Sequence, residues 1–98
     1  MSDLLFSQLR EAKPVRLEKN GHAVCVTRIG GEVFAVADTC THSEASLAEG
    51  EVSGTKIECW LHGAEFDLRT GEVLNLPATV AIATYQVIRD ADGVTVEI

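Results

Sequence analysis

Ninety-eight residues, 46% of them hydrophobic, exclude a disordered tail or linker and are expected to form a single domain, residues 1–98, whose core needs no metal in order to fold. Fifteen acidic against eight basic side chains give a net charge of −7. That charge argues against nucleic acid or an anionic membrane as partner, and leaves open plain solubility or steering toward a basic patch on another protein.

Met1-Ser2-Asp3-Leu4-Leu5-Phe6 has no basic segment ahead of its apolar stretch and does not read as a signal peptide. No apolar run approaches the ~20 residues of a membrane span, so a soluble, cytoplasmic chain without an anchor is expected. Ser7 to Lys13 is the only helical pattern, with Ser7 as its cap. Strands are predicted at 15–18, 23–29, 33–38, 56–60, 64–67, 84–89 and 94–98. Their turns fall at Asn20-Gly21, Gly30-Gly31, Ser53-Gly54, Thr70-Gly71 and Asp92-Gly93. Alternation is clear in Val15 and Leu17 against Arg16 and Glu18, whereas 33–37 is apolar throughout, as in a strand covered on both faces. Strands at roughly ten-residue intervals predict an all-β, antiparallel sandwich or small barrel.

Three cysteines and three histidines carry the chemistry. Cys25 lies in a strand and reads as a small buried hydrophobe rather than a fifth ligand or redox switch. His22 follows a turn and reads as solvated. The other four fall into two mixed elements, Cys40-Thr41-His42 and Cys59-Trp60-Leu61-His62, separated by sixteen residues. Together they offer two thiolates and two imidazoles, the inventory of a [2Fe–2S] cluster with Cys₂ on one iron and His₂ on the other. Zinc also takes Cys₂His₂, but structural fingers pair Cys with Cys and His with His at short spacing. A Cys40–Cys59 disulfide would need an oxidising compartment, for which the chain gives no sign.

The pattern C-x-H-x16-C-x2-H, followed by Gly63, resembles the Rieske ferredoxin motif, and the likeness extends over nearly the whole chain. It implies a Rieske-like antiparallel β-sandwich with a cluster-binding subdomain made by loops at 39–50 and 59–67. A third, proline-containing loop near Leu76-Pro77-Ala78 would cover the cluster. By resemblance Cys40 and Cys59 bind the inner iron and His42 and His62 the outer one, with one [2Fe–2S] cluster per chain. Gly63 and Gly71 then permit positive φ where the loops turn.

With two Fe³⁺, two sulfides, two thiolates and two neutral imidazoles, such a site is neutral, so it accepts an electron more readily than an all-cysteine cluster. The same arithmetic couples reduction to protonation of the imidazoles. High-potential respiratory members resemble C-T-H-L-G-C and C-P-C-H-G-S-x-Y. Here Ala45 and Leu61 stand in place of the disulfide cysteines, Ala64 in place of a serine and Phe66 in place of a tyrosine. Losing those hydroxyl donors to sulfur implies a low potential and removes the quinol-oxidising reading.

Low-potential members of this size are similar to ferredoxin components of bacterial aromatic-ring-hydroxylating dioxygenases. The resemblance implies an electron carrier rather than an enzyme, with no room for an oxygenase domain, working as a monomer between a flavin-dependent NAD(P)H ferredoxin reductase and a terminal non-haem iron oxygenase. Two other roles stay open: an accessory ferredoxin of iron–sulfur assembly, and a small subunit of a nitrite-reductase-type complex. Trp60 and Leu61 either shield the cluster or touch the partner.

Overall fold

Two long neighbouring strands place alternate residues in two different cores, and that alternation organises the chain. The computed structural model describes residues 3–38, 46–60, 64–74 and 81–97. Among them, β1 (Leu4–Leu5), β2 (Val15–Lys19), β3 (His22–Ile29), β4 (Glu32–Ala37), β8 (Thr84–Asp90) and β9 (Gly93–Glu97) form a six-stranded antiparallel sheet in the order β1-β9-β8-β4-β3-β2. The shorter β5 (Glu51–Ser53), β6 (Lys56–Glu58) and β7 (Glu65–Asp67) form a separate three-stranded sheet.

Successive side chains in a strand point to opposite faces. On β3, Val24 and Val26 therefore join Leu9, Ala35, Val94 and Val96 inside the curl of the large sheet. Cys25 and Val36, from the other faces of β3 and β4, join Leu47, Ile57, Cys59, Phe66 and Leu68 between the two sheets. This double burial explains why the chain is apolar throughout 33–37. The large sheet also curls until its outer strands meet: Lys19 Nζ on β2 donates to the Val96 carbonyl of β9 at 2.7 Å and pairs with Asp3 Oδ2, just before β1, at 3.0 Å.

The all-β expectation holds, and the seven predicted strands all occur, with ends shifted by one or two residues. Two strands were not predicted, β1 and β5, because each is too short to show a period. The helix expected over Ser7 to Lys13 is replaced by a single 3₁₀ turn, Phe6–Gln8. Ser7 does not cap it; its N–H and hydroxyl both bond the Asp92 carboxylate, at 3.0 and 2.6 Å. Chain geometry favours this because Leu9 is drawn into the core and Phe6 lies beneath the guanidiniums of Arg28 and Arg89, at 4.3 and 3.9 Å. The last hairpin turn sits one residue earlier than expected: Ala91 takes the positive φ, and Gly93 already pairs with Asp90.

Candidate metal centre

β6 delivers Cys59. Ile57 faces the core between the sheets, and two residues on, at the strand end, Cys59 falls on the same face; both are 0% exposed. β7 returns antiparallel with Phe66 opposite Ile57 and Glu65 opposite Glu58. Past that pair, the Cys59 N–H donates to the Ala64 carbonyl at 2.6 Å. The second mixed element is thus the loop of a hairpin with a hydrogen-bonded neck. His62, with Leu61 and Gly63, falls outside the described residues.

The first element leaves the end of β4. Cys40 and His42, with Ala45, fall in residues 39–45, also outside the described residues, but both ends of the segment are fixed. Asp38, 2% exposed, holds them together. Its carbonyl accepts the Leu47 N–H at 2.6 Å, its Oδ2 the Ser46 hydroxyl at 2.5 Å, and its Oδ1 the Ala48 N–H at 2.9 Å. Its own N–H returns to the Ala23 carbonyl of the large sheet at 3.1 Å. From Ser46 the chain makes one 3₁₀ turn, Leu47–Glu49, rather than the longer loop expected to reach residue 50.

The two segments that carry the Cys/His elements are rooted side by side. Glu51 pairs with Glu58, the residue before Cys59, and Gly50 packs so tightly there that a Cβ would lie 1.9 Å from the Glu58 carbonyl oxygen. The expected proline loop also begins next to this hairpin, because the Leu74 N–H donates to the Glu65 carbonyl at 2.8 Å. Its return is tied by Ile82 N–H to the Gly71 carbonyl at 3.0 Å. Gly71 has φ +78°, as expected for this position, and it also has no room for a side chain: a Cβ would run into the Ile82 carbonyl oxygen. Leu76, Pro77 and Ala78 are outside the described residues.

Cys59 is a free thiol enclosed by apolar side chains, a soft, desolvated donor of the kind that could hold a cluster iron. Ala64 and Phe66 are both fully buried in the same shell, so neither position supplies a hydroxyl to sulfur. Cys25 packs in this cluster too. Burial, reinforced by the negative charge of Asp38 and only partly opposed by the Thr27 hydroxyl, pushes its thiol up to about 12. Cys25 is therefore a buried neutral thiol, as its strand position suggested. His22 is exposed and stands edge-on to Tyr85, with ring centroids 6.4 Å apart. Trp60, next to Cys59, is 53% exposed and Leu74 48%, so both present apolar surface beside the ligand segments.

The family model for the Rieske [2Fe–2S] domain matches residues 3–86. The chain belongs to the Rieske [2Fe–2S] family. It is 38% identical over 90 residues to the ferredoxin component of biphenyl 2,3-dioxygenase from Rhodococcus jostii RHA1, covering 92% of this chain and 84% of that one. Its structure is similar to the ferredoxin of carbazole 1,9a-dioxygenase from Nocardioides aromaticivorans IC177, with a TM-score of 0.94, 33% identity, and 98% and 94% of the two chains covered. A solved complex of reduced oxygenase and oxidised ferredoxin in carbazole 1,9a-dioxygenase gives a TM-score of 0.93 at 33% identity, covering 99% and 100%. As a Rieske ferredoxin the chain takes a single [2Fe–2S] cluster and serves electron transfer rather than catalysis. No helix among the described residues is long and apolar enough to cross a membrane.

Asp38, Gly50 and Leu74 were not legible as site residues. The acidic residue before Thr39 looked like an ordinary strand terminus, and nothing local marks a glycine that must admit another strand's carbonyl.

Proposed function

We propose that this Rieske ferredoxin carries single electrons from a flavin-dependent NAD(P)H reductase to a terminal non-haem iron oxygenase of an aromatic-ring-hydroxylating system. Cys40 and Cys59 hold one iron of the cluster, and His42 and His62 hold the other. The observation that carries this reading is the buried Cys59 at the neck of a hairpin, rooted against the Asp38-fastened segment that contains Cys40 and His42. When bound, the cluster supplies one-electron chemistry with no group transfer of its own. The protein's contribution is to enclose the sulfur side in apolar residues while keeping the tip open to a partner.

The related ferredoxins are components of dioxygenase systems, and one is solved with its oxygenase. That favours the oxygenase role over iron–sulfur assembly or a nitrite-reductase subunit. Exposed Trp60 and Leu74 suit contact with the partner better than shielding of the cluster. The 98 residues work as one monomeric domain in the cytoplasm, where NAD(P)H is at hand. Reconstitution tests the proposal: with NADH, a flavin reductase and a ring-hydroxylating oxygenase, the ferredoxin should restore product formation, and alone it should turn over nothing. Trp60→Ala and Leu74→Ala should slow transfer several-fold while the visible spectrum stays unchanged. Full transfer by both variants would move the docking surface elsewhere.

A further inference from the structure

Asp38 is the only acidic side chain buried among the described residues, and its surroundings are lopsided. The two neutral donors among the described residues, Ser46 Oγ and Ala48 N–H, come from the far end of the 39–45 segment. The one positive partner among the described residues is Arg16 on β2, whose Nε is 3.3 Å from Oδ2. Arg16 is half exposed and shares its charge with Glu18, 2.9 Å from Nη1. Water therefore screens the cation much better than it screens the anion. The uncompensated part of the carboxylate's field points into the protein.

Asp38 is two peptide units from Cys40, so the covalent chain keeps their Cα atoms within about 7.6 Å. Reduction adds one negative charge to the centre that Cys40 is assigned to hold, and a buried anion nearby opposes it. We propose that Asp38 is a positioning residue that also sets the potential of this ferredoxin, the carboxylate lowering it and Arg16 partly cancelling that effect. This goes beyond the missing hydroxyls as a cause of low potential, and rests on the assignment of Cys40 as a ligand.

A purely structural clamp and a charge effect differ in the sign pattern they produce. The midpoint potentials of cluster-loaded wild type, Asp38→Asn, Arg16→Gln and Ser46→Ala would be measured at constant pH, with iron and sulfide content and the reduced-state EPR spectrum recorded for each. Asp38→Asn keeps the shape and removes the charge, and should shift the potential upward. Arg16→Gln removes the counter-charge and should shift it downward. Ser46→Ala loosens the clamp without changing charge, and should lower thermal stability but leave the potential and the EPR spectrum in place. Shifts of the same sign in the two charge variants, an Ser46→Ala shift equal to that of Asp38→Asn, or no shift in either charge variant would overturn the proposal. If Asp38→Asn does not retain its cluster, Arg16→Gln decides alone: a downward shift supports the proposal, and an unchanged or raised potential overturns it. A wild-type protein that fails to bind two irons and two sulfides instead refutes the ligand assignment.

Discussion

The large sheet closes around its own core, with Val24, Val26, Val94 and Val96 fully buried and the outer strands tied by Lys19 to Asp3 and Val96. The small sheet has three residues in each strand, and its fixed points are of another kind. They are an aspartate whose carboxylate and backbone carbonyl take three backbone or hydroxyl donors, a hairpin neck at Cys59 and Ala64, and two glycines pressed against carbonyls. Hydrophobic burial is non-directional and tolerates small shifts, whereas hydrogen bonds and backbone contacts fix position. The region around the two Cys/His segments uses the second kind. The base that carries it can rely on the first.

The largest test of that division is removal of the cluster. Cys40→Ser, His42→Ala, Cys59→Ser and His62→Ala should each lose the visible absorption and the roughly two irons per chain, while the far-UV dichroism of the large sheet persists. Cys25→Ser should keep the cluster. Global unfolding of every ligand variant would show that the base depends on the tip after all.

Next come the glycines. Gly50→Ala and Gly71→Ala force a Cβ into the Glu58 and Ile82 carbonyls, and should each destabilise by about 1–3 kcal/mol, with ~1 more at Gly71 for its left-handed backbone. Gly21→Ala, at φ +80° but in open space, should cost only ~1 kcal/mol. Thermal melts of the three variants rank them, and equal losses would mean that the small sheet yields more readily than its contacts suggest.

A gentler probe is the potential. Wild type should fall in the low part of the Rieske range, roughly −150 to 0 mV, and Ala64→Ser or Phe66→Tyr should raise it if a hydroxyl reaches sulfur. A wild-type value near +300 mV would show that other donors replace the missing ones.

The smallest effects are those of pH on the base. Burial raises the Asp3 carboxyl, but the Val96 N–H and Lys19 outweigh it and bring the carboxyl below its ordinary value of 3.8. A depressed carboxyl adds stability that is complete above that value and drains away as pH falls through the lower folded one. Asp3→Asn should therefore flatten the acid limb of a stability curve and leave the neutral region nearly parallel. At the alkaline end, the Cys25 thiol, raised from 9.0 to about 12, favours the folded state fully below pH 9 and loses that contribution as pH climbs toward 12. Native protein should leave Cys25 unmodified by a thiol reagent at neutral pH; rapid labelling would contradict its burial.

Turn chemistry and alternation made the strands legible, because Asn20-Gly21 and the period of Val15-Arg16-Leu17-Glu18 are local properties. The motif spacing made the cofactor legible, because ligand identity is written in residue types. Ser7 misled because a serine before a helical pattern looks alike whether its partner is the next turn or Asp92, 85 positions away. What the sequence by itself determined was the set of soft and imidazole donors and the β architecture. The tertiary structure decided that Asp38 fastens the ends of the first Cys/His segment, that Gly50 and Glu51 root it against the second, and that Trp60 and Leu74 stand exposed beside them. Those relations join residues on different strands, and they exist only once β4, β5, β6 and β7 are packed together.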